Sequence, residues 1–374
     1  MKRPRRILHL DTADTWRGGE RQVFLVAREQ QRQGERPWIV CSPGSPLQAR
    51  ARLAGVPTYP LSSRGEWDLE SVRRLRRLIA LSAPDVVHAH TSHTHGLAWM
   101  AVARGPAVPL VVHRRVDFEP ATHPISRLKY RSPHVQAFVA VSEFVAGVLL
   151  RAGIEPDRVF VVRSSVPEPP QIAPDRVAGL RRELLGNDGA HPLLLVVGAL
   201  VDHKGHRYLL EAMPSIRARF PGVRLAIVGD GPLKTTLERQ VARTNSASTV
   251  RFLGHRHDPV DWIQAADLLV VPSCQEGLNT SILDAQWSRC PVVAAAAGGI
   301  PELVSNRTGW LVPPRDPHAL ATAILDALTR PEERAVRTRN ARKTVERISS
   351  LPNMVHALGR IYDLAARRFH NSAR

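Results

Sequence analysis

Short aliphatic runs alternate with amphipathic stretches along nearly the whole chain. Residues 6–10, 38–41, 58–61, 86–89, 110–117, 137–142 and 159–163 read as buried strands. Between them, residues 20–33, 47–53, 69–82, 126–132 and 143–152 carry apolar positions at helical spacing. A Pro-rich connector at 165–174 interrupts the pattern, which then resumes. Residues 193–198, 224–228, 250–254, 268–271, 291–297 and 308–313 are predicted strands, and 177–185, 206–219, 262–266, 317–329, 332–347 and 354–368 are predicted helices. Strands that alternate with helices imply parallel sheets. The expectation is an α/β protein of two Rossmann-like domains, residues 1–166 and 167–350, with 351–374 forming a last amphipathic helix.

Length and composition support that division. With 374 residues, 43% hydrophobic and 23% charged, the chain suits two globular cores. The net charge of +18 is unusual, and the first 165 residues hold 25 basic and 14 acidic side chains. A basic surface favours anionic partners, among them phosphorylated saccharides and anionic lipid headgroups. No basic–aromatic pattern of a nucleic-acid reader is present, so no nucleic-acid partner is expected. Cys41, Cys274 and Cys290 are too scattered for a disulfide framework or a zinc site. The basic start, residues 1–6, precedes an apolar run too short for a signal peptide or a span. These features predict a cytoplasmic protein, at most peripheral at the inner face of a membrane. Helix 69–82, with Arg73, Arg74, Arg76 and Arg77, could lie on such a surface or be a crossover helix with a solvated face.

The densest chemistry lies in residues 271–302. A strand ends in a polar loop carrying Glu276 and Gly277, and a helix opens through Asn279, Thr280 and Ser281, any of which could cap it. Asp284 follows Thr280 by one turn on the same face. Two acids so placed can accept hydrogen bonds from two sets of sugar hydroxyls. A second apolar run then meets Gly298 and Gly299, with Pro301 suited to the first turn of a further helix. Bare amides at a helix start form an anion site. Hydroxyls and phosphate together point to a nucleotide sugar.

Glu276-Gly277, the acid eight positions later, and Gly298-Gly299-Ile300-Pro301-Glu302 resemble the signature of the family 4 glycosyltransferases, retaining enzymes of the two-domain GT-B fold. The resemblance implies two domains facing each other across a cleft, with the C-terminal helix crossing back to the first. It implies a nucleotide diphosphate sugar as donor and a saccharide or glycolipid acceptor, in synthesis of a cell-envelope polysaccharide or lipopolysaccharide. Neither a cofactor nor a metal is expected, since no Asp-x-Asp triplet occurs. Glu276 would hold the donor sugar, Asp284 the ribose, and Lys204 with Gly298 and Gly299 the diphosphate. Gly18 and Gly19 would lie near the donor phosphate, although a turn needing positive φ explains them equally. Gly254 opens the loop that would frame the base. His113 would face the donor sugar, its alternative being a core residue. Arg114, Arg115 and Arg127 are candidate acceptor contacts or solvated charges. His88, His90, His93 and His95 could suggest a metal, but the family strand that they resemble carries none.

Two departures stand out. The family usually has Arg where this chain has Ala199, and Asn-Gly where it has Ser164-Ser165. His203, Arg207 or an arm of the first domain would have to replace the missing cation. Other readings are a GT-B epimerase or phosphorylase, a nucleotide-sugar-binding protein without turnover, and a basic nucleic-acid binder.

Overall fold

Aliphatic runs rich in Val, Leu and Ile form thirteen parallel strands among the residues that the computed structural model describes, 3–119, 124–186, 191–244 and 246–372. Strands buried on both faces carry such runs because helices cover each side. The chain divides into two compact units. Residues 3–166 with 350–372 make the first, and 167–349 make the second.

In the first unit β1 (Arg6–Leu10), α1 (Gly18–Arg32), β2 (Arg36–Cys41), α2 (Pro46–Leu53), β3 (Thr58–Pro60), α3 (Leu69–Ser82) and β4 (Val86–Ala89) follow in order. Then come α4 (Ser92–Ala103), β5 (Leu110–Arg114), α5 (Pro124–Arg131), β6 (Val135–Ala140), α6 (Glu143–Arg151) and β7 (Val159–Val161). The sheet order is β3-β2-β1-β4-β5-β6-β7. In the second unit α7 (Pro174–Leu185) precedes β8 (Leu193–Val197), α8 (His206–Arg219), β9 (Arg224–Val228), α9 (Lys234–Arg243), β10 (Val250–Gly254), α10 (Pro259–Ala265) and β11 (Leu268–Val271). It continues with α11 (Thr280–Trp287), β12 (Val292–Ala295), β13 (Trp310–Val312), α12 (Pro317–Thr329) and α13 (Pro331–Ile348), in sheet order β10-β9-β8-β11-β12-β13. The last helix, α14 (Leu351–Ser372), belongs to the first unit.

Most predicted elements appear within a few residues of their expected bounds, and the exceptions have local causes. Helix α1 starts at Gly18, because the Glu20 carboxylate turns back to accept the Arg17 amide at 2.6 Å. The helix expected after Pro301 does not form. Ile300–Glu302 is a single 3-10 turn, and a Ser305–Thr308 turn follows, with the Thr308 amide donating to the Ser305 carbonyl and the Ser305 amide to the Thr308 hydroxyl. Helices α4 and α9 had no sequence expectation. Apolar residues surround α4, so it shows no amphipathic stripe, whereas α9 is amphipathic but narrow, with only Leu237 and Val241 buried.

Helix α14 lays Met354, Val355, Leu358, Ile361, Tyr362 and Ala365 into the core formed by Ile7, Val26, Val86, Val111, Ala137 and Val139. Arg5 fastens its outer side by donating to the Gly359 carbonyl at 2.7 Å and pairing with Asp363 at 3.1 Å. A Cβ on Gly359 would come within 2.7 Å of the Arg5 guanidinium, so a larger residue there would make that side chain shift.

The centre of this first sheet is built partly of imidazoles. His9 of β1, His88 of β4 and His113 of β5 are buried, as is His90 just beyond β4. Burial holds the His9 ring near pKa 4 and pushes His88, His90 and His113 well below the ordinary 6.5, with the nearby Arg115 charge adding to the effect. All four rings are therefore neutral in the folded protein at pH 7.

Two outcomes are expected. Leu358→Ala, at a fully buried site, should lower stability by about 2–5 kcal/mol in chemical denaturation. A loss below that range would show that α14 is loosely docked. The second outcome concerns pH. A histidine whose folded pKa is depressed contributes stability that is present above 6.5 and lost as pH falls towards the folded value. For His9 alone the swing is about 3 kcal/mol. Asp11, raised by burial to about 7, acts in the opposite sense, but it is one group against four. The thermal midpoint by calorimetry should drop between pH 6.5 and 5, and His9→Gln should flatten that slope.

Candidate functional site

In open parallel sheets, ligands collect beyond the carboxyl ends of the strands where the winding reverses. In the second unit that point lies between β8 and β11, which are neighbours in the sheet although three helices and two strands separate them in sequence. The loops leaving these two strands carry Lys204 and Glu276. A small cavity there is lined by Val197, Gly198, Lys204, His206, Ser273 and Asn279.

Backbone contacts lock the two loops together. The Cys274 and Gln275 amides both donate to the His203 carbonyl, at 2.7 and 3.3 Å. Gly205 has φ +68°, and a Cβ there would meet the Pro272 carbonyl at 2.0 Å, so only glycine permits this approach. The loop after β12 joins them as the Gly299 amide donates to the Glu276 carbonyl at 3.0 Å. Gly298, at φ +53°, would clash with the same carbonyl at 1.8 Å if it bore a Cβ. This alters the expectation for the glycine pair. The Gly299 amide is engaged by Glu276 and is not bare, because the helix expected to expose it is only a 3-10 turn.

The side chains converge on one carboxylate oxygen. Glu276 Oε2 accepts from Lys204 Nζ at 2.6 Å, Asn279 Nδ2 at 3.0 Å and Ser273 Oγ at 3.3 Å. Oε1 takes no hydrogen bond from any described residue, and the side chain is 12% exposed. Glu276 therefore presents an oriented acceptor with one free oxygen. Asn279 is the cap of α11, its Oδ1 accepting the Ser281 and Ile282 amides at 3.0 and 3.3 Å. One amide side chain thus fixes both the helix start and the carboxylate. Asp284 lies one turn into α11 as expected but is 3% exposed, and Gly277 is buried as well.

His206, at the first position of α8, is the residue that the sequence reading missed. It is 3% exposed, neither ring nitrogen has a partner, and burial followed by the Lys204 charge lowers its pKa to about 4. Its place directly after Lys204-Gly205 was the available signal. Of the proposed stand-ins at Ala199, Arg207 is half-exposed and turned to Tyr208 and Asp202, while the His203 carbonyl serves the loop. Gly254, with φ +67°, ends β10, and its carbonyl accepts the Gly229 amide at 2.8 Å.

The first unit has the equivalent reversal between β1 and β4. Asp11 follows β1, His90 follows β4, and Gly18 and Gly19 open α1. Asp11 is 1% exposed, and its Oδ2 has no partner. His113, on β5, stacks on His88 with centroids 5.4 Å apart, and its Nε2 is also unpartnered. The three candidate acceptor arginines part ways. Arg114 is buried and donates to the Tyr130 hydroxyl at 2.8 Å and to the Phe118 carbonyl, which ties down the chain leaving β5. Arg115 turns inward to His90 at 2.9 Å, and Arg127 on α5 is exposed.

Comparison with known proteins follows the same two-unit division. A model described as Glycosyltransferase Family 4 matches residues 16–167, and one described as Glycosyl transferases group 1 matches residues 191–330. A GDP-mannose-dependent alpha-(1-6)-phosphatidylinositol monomannoside mannosyltransferase of Mycolicibacterium smegmatis is 35% identical over 44% of this chain. That match spans 46% of the relative, so this chain covers about half the length of such curated proteins. Among solved structures, a glycosyltransferase from Rickettsia africae superposes with a TM-score of 0.85 at 20% identity, covering 97% of this chain and 99% of the other. An Anabaena protein in complex with UDP-glucose gives 0.81 at 21% identity, covering 95% and 98%. The paired family matches, the two parallel sheets and the shared fold show that this chain belongs to the family 4 glycosyltransferases, with the GT-B fold.

Proposed function

We propose that the chain moves a sugar from a nucleotide diphosphate sugar to a hydroxyl of a saccharide or lipid-linked acceptor in cell-envelope synthesis, with retention at the anomeric carbon and without a metal. The observation that carries this reading is the Lys204–Glu276 pair at the β8–β11 reversal, with one carboxylate oxygen held and the other free. A UDP-glucose complex of the Anabaena neighbour and GDP-mannose in the name of the mycobacterial relative support a nucleotide sugar as donor.

Glu276 Oε1 would accept a hydrogen bond from a donor-sugar hydroxyl. The Lys204 ammonium has three protons, so it can keep Glu276 and still donate to the leaving diphosphate. A cation fixed before the reaction stabilises charge as it develops there, which is the dominant electrostatic contribution in such chemistry. Gly298 would add a backbone amide, and Asp284 is assigned to the ribose, Gly254 to the base side, and Gly18 and Gly19 to the phosphates. His113 is assigned to the donor sugar. Among the described residues, no second carboxylate is assigned opposite Glu276 in the way a double displacement needs. Same-face attack, with the leaving phosphate taking the acceptor proton, is the route consistent with this set.

Acceptor binding is assigned to exposed Arg127 rather than to Arg114 or Arg115, which are held by internal bonds. The first unit also exposes Leu69, Leu81 and Leu128 beside Arg73, Arg74, Arg77 and Arg127. Apolar side chains among cations suit a peripheral contact with an anionic bilayer. No helix among the described residues is long and apolar enough to cross a membrane.

Glu276→Gln and Lys204→Met should each lower kcat by roughly 10²–10³, the loss typical of one preorganised electrostatic contact, and lower the thermal midpoint by only a few degrees. A panel of UDP, GDP, ADP and their sugars should raise the wild-type midpoint for one nucleotide and raise it less in Glu276→Ala. No shift with any nucleotide would overturn the assignment, and an inverted anomer in the product by NMR would overturn retention. Co-sedimentation with vesicles containing anionic lipid should weaken in an Arg73→Glu, Arg77→Glu variant. Equal binding to neutral vesicles would rule out the charge-based contact.

A further inference from the structure

The imidazoles at the β1–β4 reversal form a hydrogen-bond chain whose direction one residue imposes. Arg115 has only donors. Its Nη1 lies 2.9 Å from His90 Nδ1, so that nitrogen must be the acceptor and the ring proton sits on Nε2. His90 Nε2 is 2.8 Å from His9 Nδ1, which therefore accepts, so the His9 proton is on Nε2 and donates to Gln30 Oε1 at 2.7 Å. The Gln30 amide group in turn donates to the Tyr362 hydroxyl at 3.4 Å, and that hydroxyl donates to His88 Nδ1 at 2.8 Å. The His88 proton is then on Nε2. The other arm of Arg115 reaches His113 Nδ1 at 3.5 Å and sets the same tautomer there. The protons as far as Gln30 are assigned from a single fixed donor, and the Tyr362 hydroxyl proton is placed on its remaining partner, His88 Nδ1; the chain then ends in two N–H groups, His88 Nε2 and His113 Nε2. Both are buried, and neither has a partner among the described residues.

We propose that Arg115 is a positioning residue: it orders the protons of His90, His9, Gln30, Tyr362 and His88, and of His113 directly, so that His88 and His113 present Nε2–H donors to an oxygen of a bound sugar. The proposal rests on the reading of His113 as a donor-sugar contact and adds two elements to it, a second donor from His88 and the residue that fixes both tautomers. It also gives Arg115 a task other than contact with an acceptor.

The same geometry separates this arrangement from a metal centre. Ring nitrogens of His9, His88 and His90 lie within 4.8 Å of one another, close enough to suggest three ligands. A ligand nitrogen must offer a lone pair while the other ring nitrogen donates its proton outward. Arg115 reverses that requirement at His90, placing the proton on the nitrogen that faces His9. The charged and titratable groups facing the cluster are Arg115, Asp11, Glu20 and Tyr362, together with the rings themselves. Burial and the Arg115 charge both keep the rings neutral.

The test uses the full-length protein labelled with ¹⁵N-histidine, with long-range ¹H–¹⁵N spectra recorded between pH 6 and 8. His9, His88, His90 and His113 should all appear as neutral Nε2–H tautomers. In Arg115→Met, His90 and His113 should lose that single form. Initial rates should show kcat reduced tenfold or more with the acceptor KM changed less than twofold, and Arg115→Lys should recover part of the loss. Tyr362→Phe leaves Arg115 in place and should release only His88, which keeps the chain testable if Arg115→Met folds poorly. Unchanged tautomers in Arg115→Met would overturn the ordering. A raised acceptor KM at constant kcat would overturn the positioning role in favour of acceptor contact. Zinc or nickel retained at one ion per chain after dialysis, and lost in His88→Ala, would overturn it in favour of a metal site. The spectra read the tautomers without turnover. An inactive preparation with ordered rings would therefore count against the proposed function while leaving the proton chain intact.

Discussion

The second unit depends on a charge pair that is neither exposed nor fully enclosed. Lys204 and Glu276 lie 2.6 Å apart, with side chains 20% and 12% exposed. At that depth a charge-assisted hydrogen bond contributes about 1.5–3 kcal/mol, and removing one partner leaves the other poorly solvated. Three loops therefore have to be held in place around the pair. The glycines at 205 and 298, the cap at Asn279 and the shared carbonyl of His203 are all parts of that clamp. The pair in turn fixes a carboxylate with one free oxygen at the sheet reversal, where the fold leaves room for a ligand.

The first unit solves a related problem without a carboxylate–ammonium pair. Its reversal point is filled with neutral rings, and orientation comes from directed hydrogen bonds that start at Arg115. Burying charged imidazoles there would cost far more than burying neutral ones, and neutral rings need a defined proton position to be of use. Tyr362 shows how far the arrangement reaches. It lies on the last helix, yet it bonds to a histidine on the fourth strand, so the docking of α14 and the order of the imidazoles are one structural fact.

Much of this was legible beforehand, because βα alternation is a strong periodic signal and the Glu276 to Glu302 stretch is dense in residues with special backbone or hydrogen-bonding roles. What escaped the sequence has identifiable causes. Pro301 suits a helix start, but the Ser305–Thr308 turn ends the segment after three residues, and local propensity cannot weigh that competition. Gly299 looked bare because the carbonyl that occupies it comes from a loop more than twenty residues earlier. Arg114 and Arg115 looked like surface cations because the side chains that take their hydrogen bonds, Tyr130 and His90, lie well away in sequence. His206 followed a recognised lysine, but the burial that gives it meaning arises only when β8 and β11 pair. The misses at Gly299, Arg115 and His206 come from long-range partners rather than from a misread period.

The chain passes from the first unit to the second near residue 166 and returns near residue 350. The second unit is therefore an insertion within the first. During synthesis it can close its own six-stranded sheet while the first sheet still lacks the helix that covers part of its core. Domains that complete themselves as they leave the ribosome are protected early, whereas a face awaiting a distant segment stays exposed for longer. The apolar surface of β1, β4, β5 and β6 must wait for α14, which follows the whole second unit, so the vulnerable interval in the life of this chain falls on the sheet that precedes the insertion.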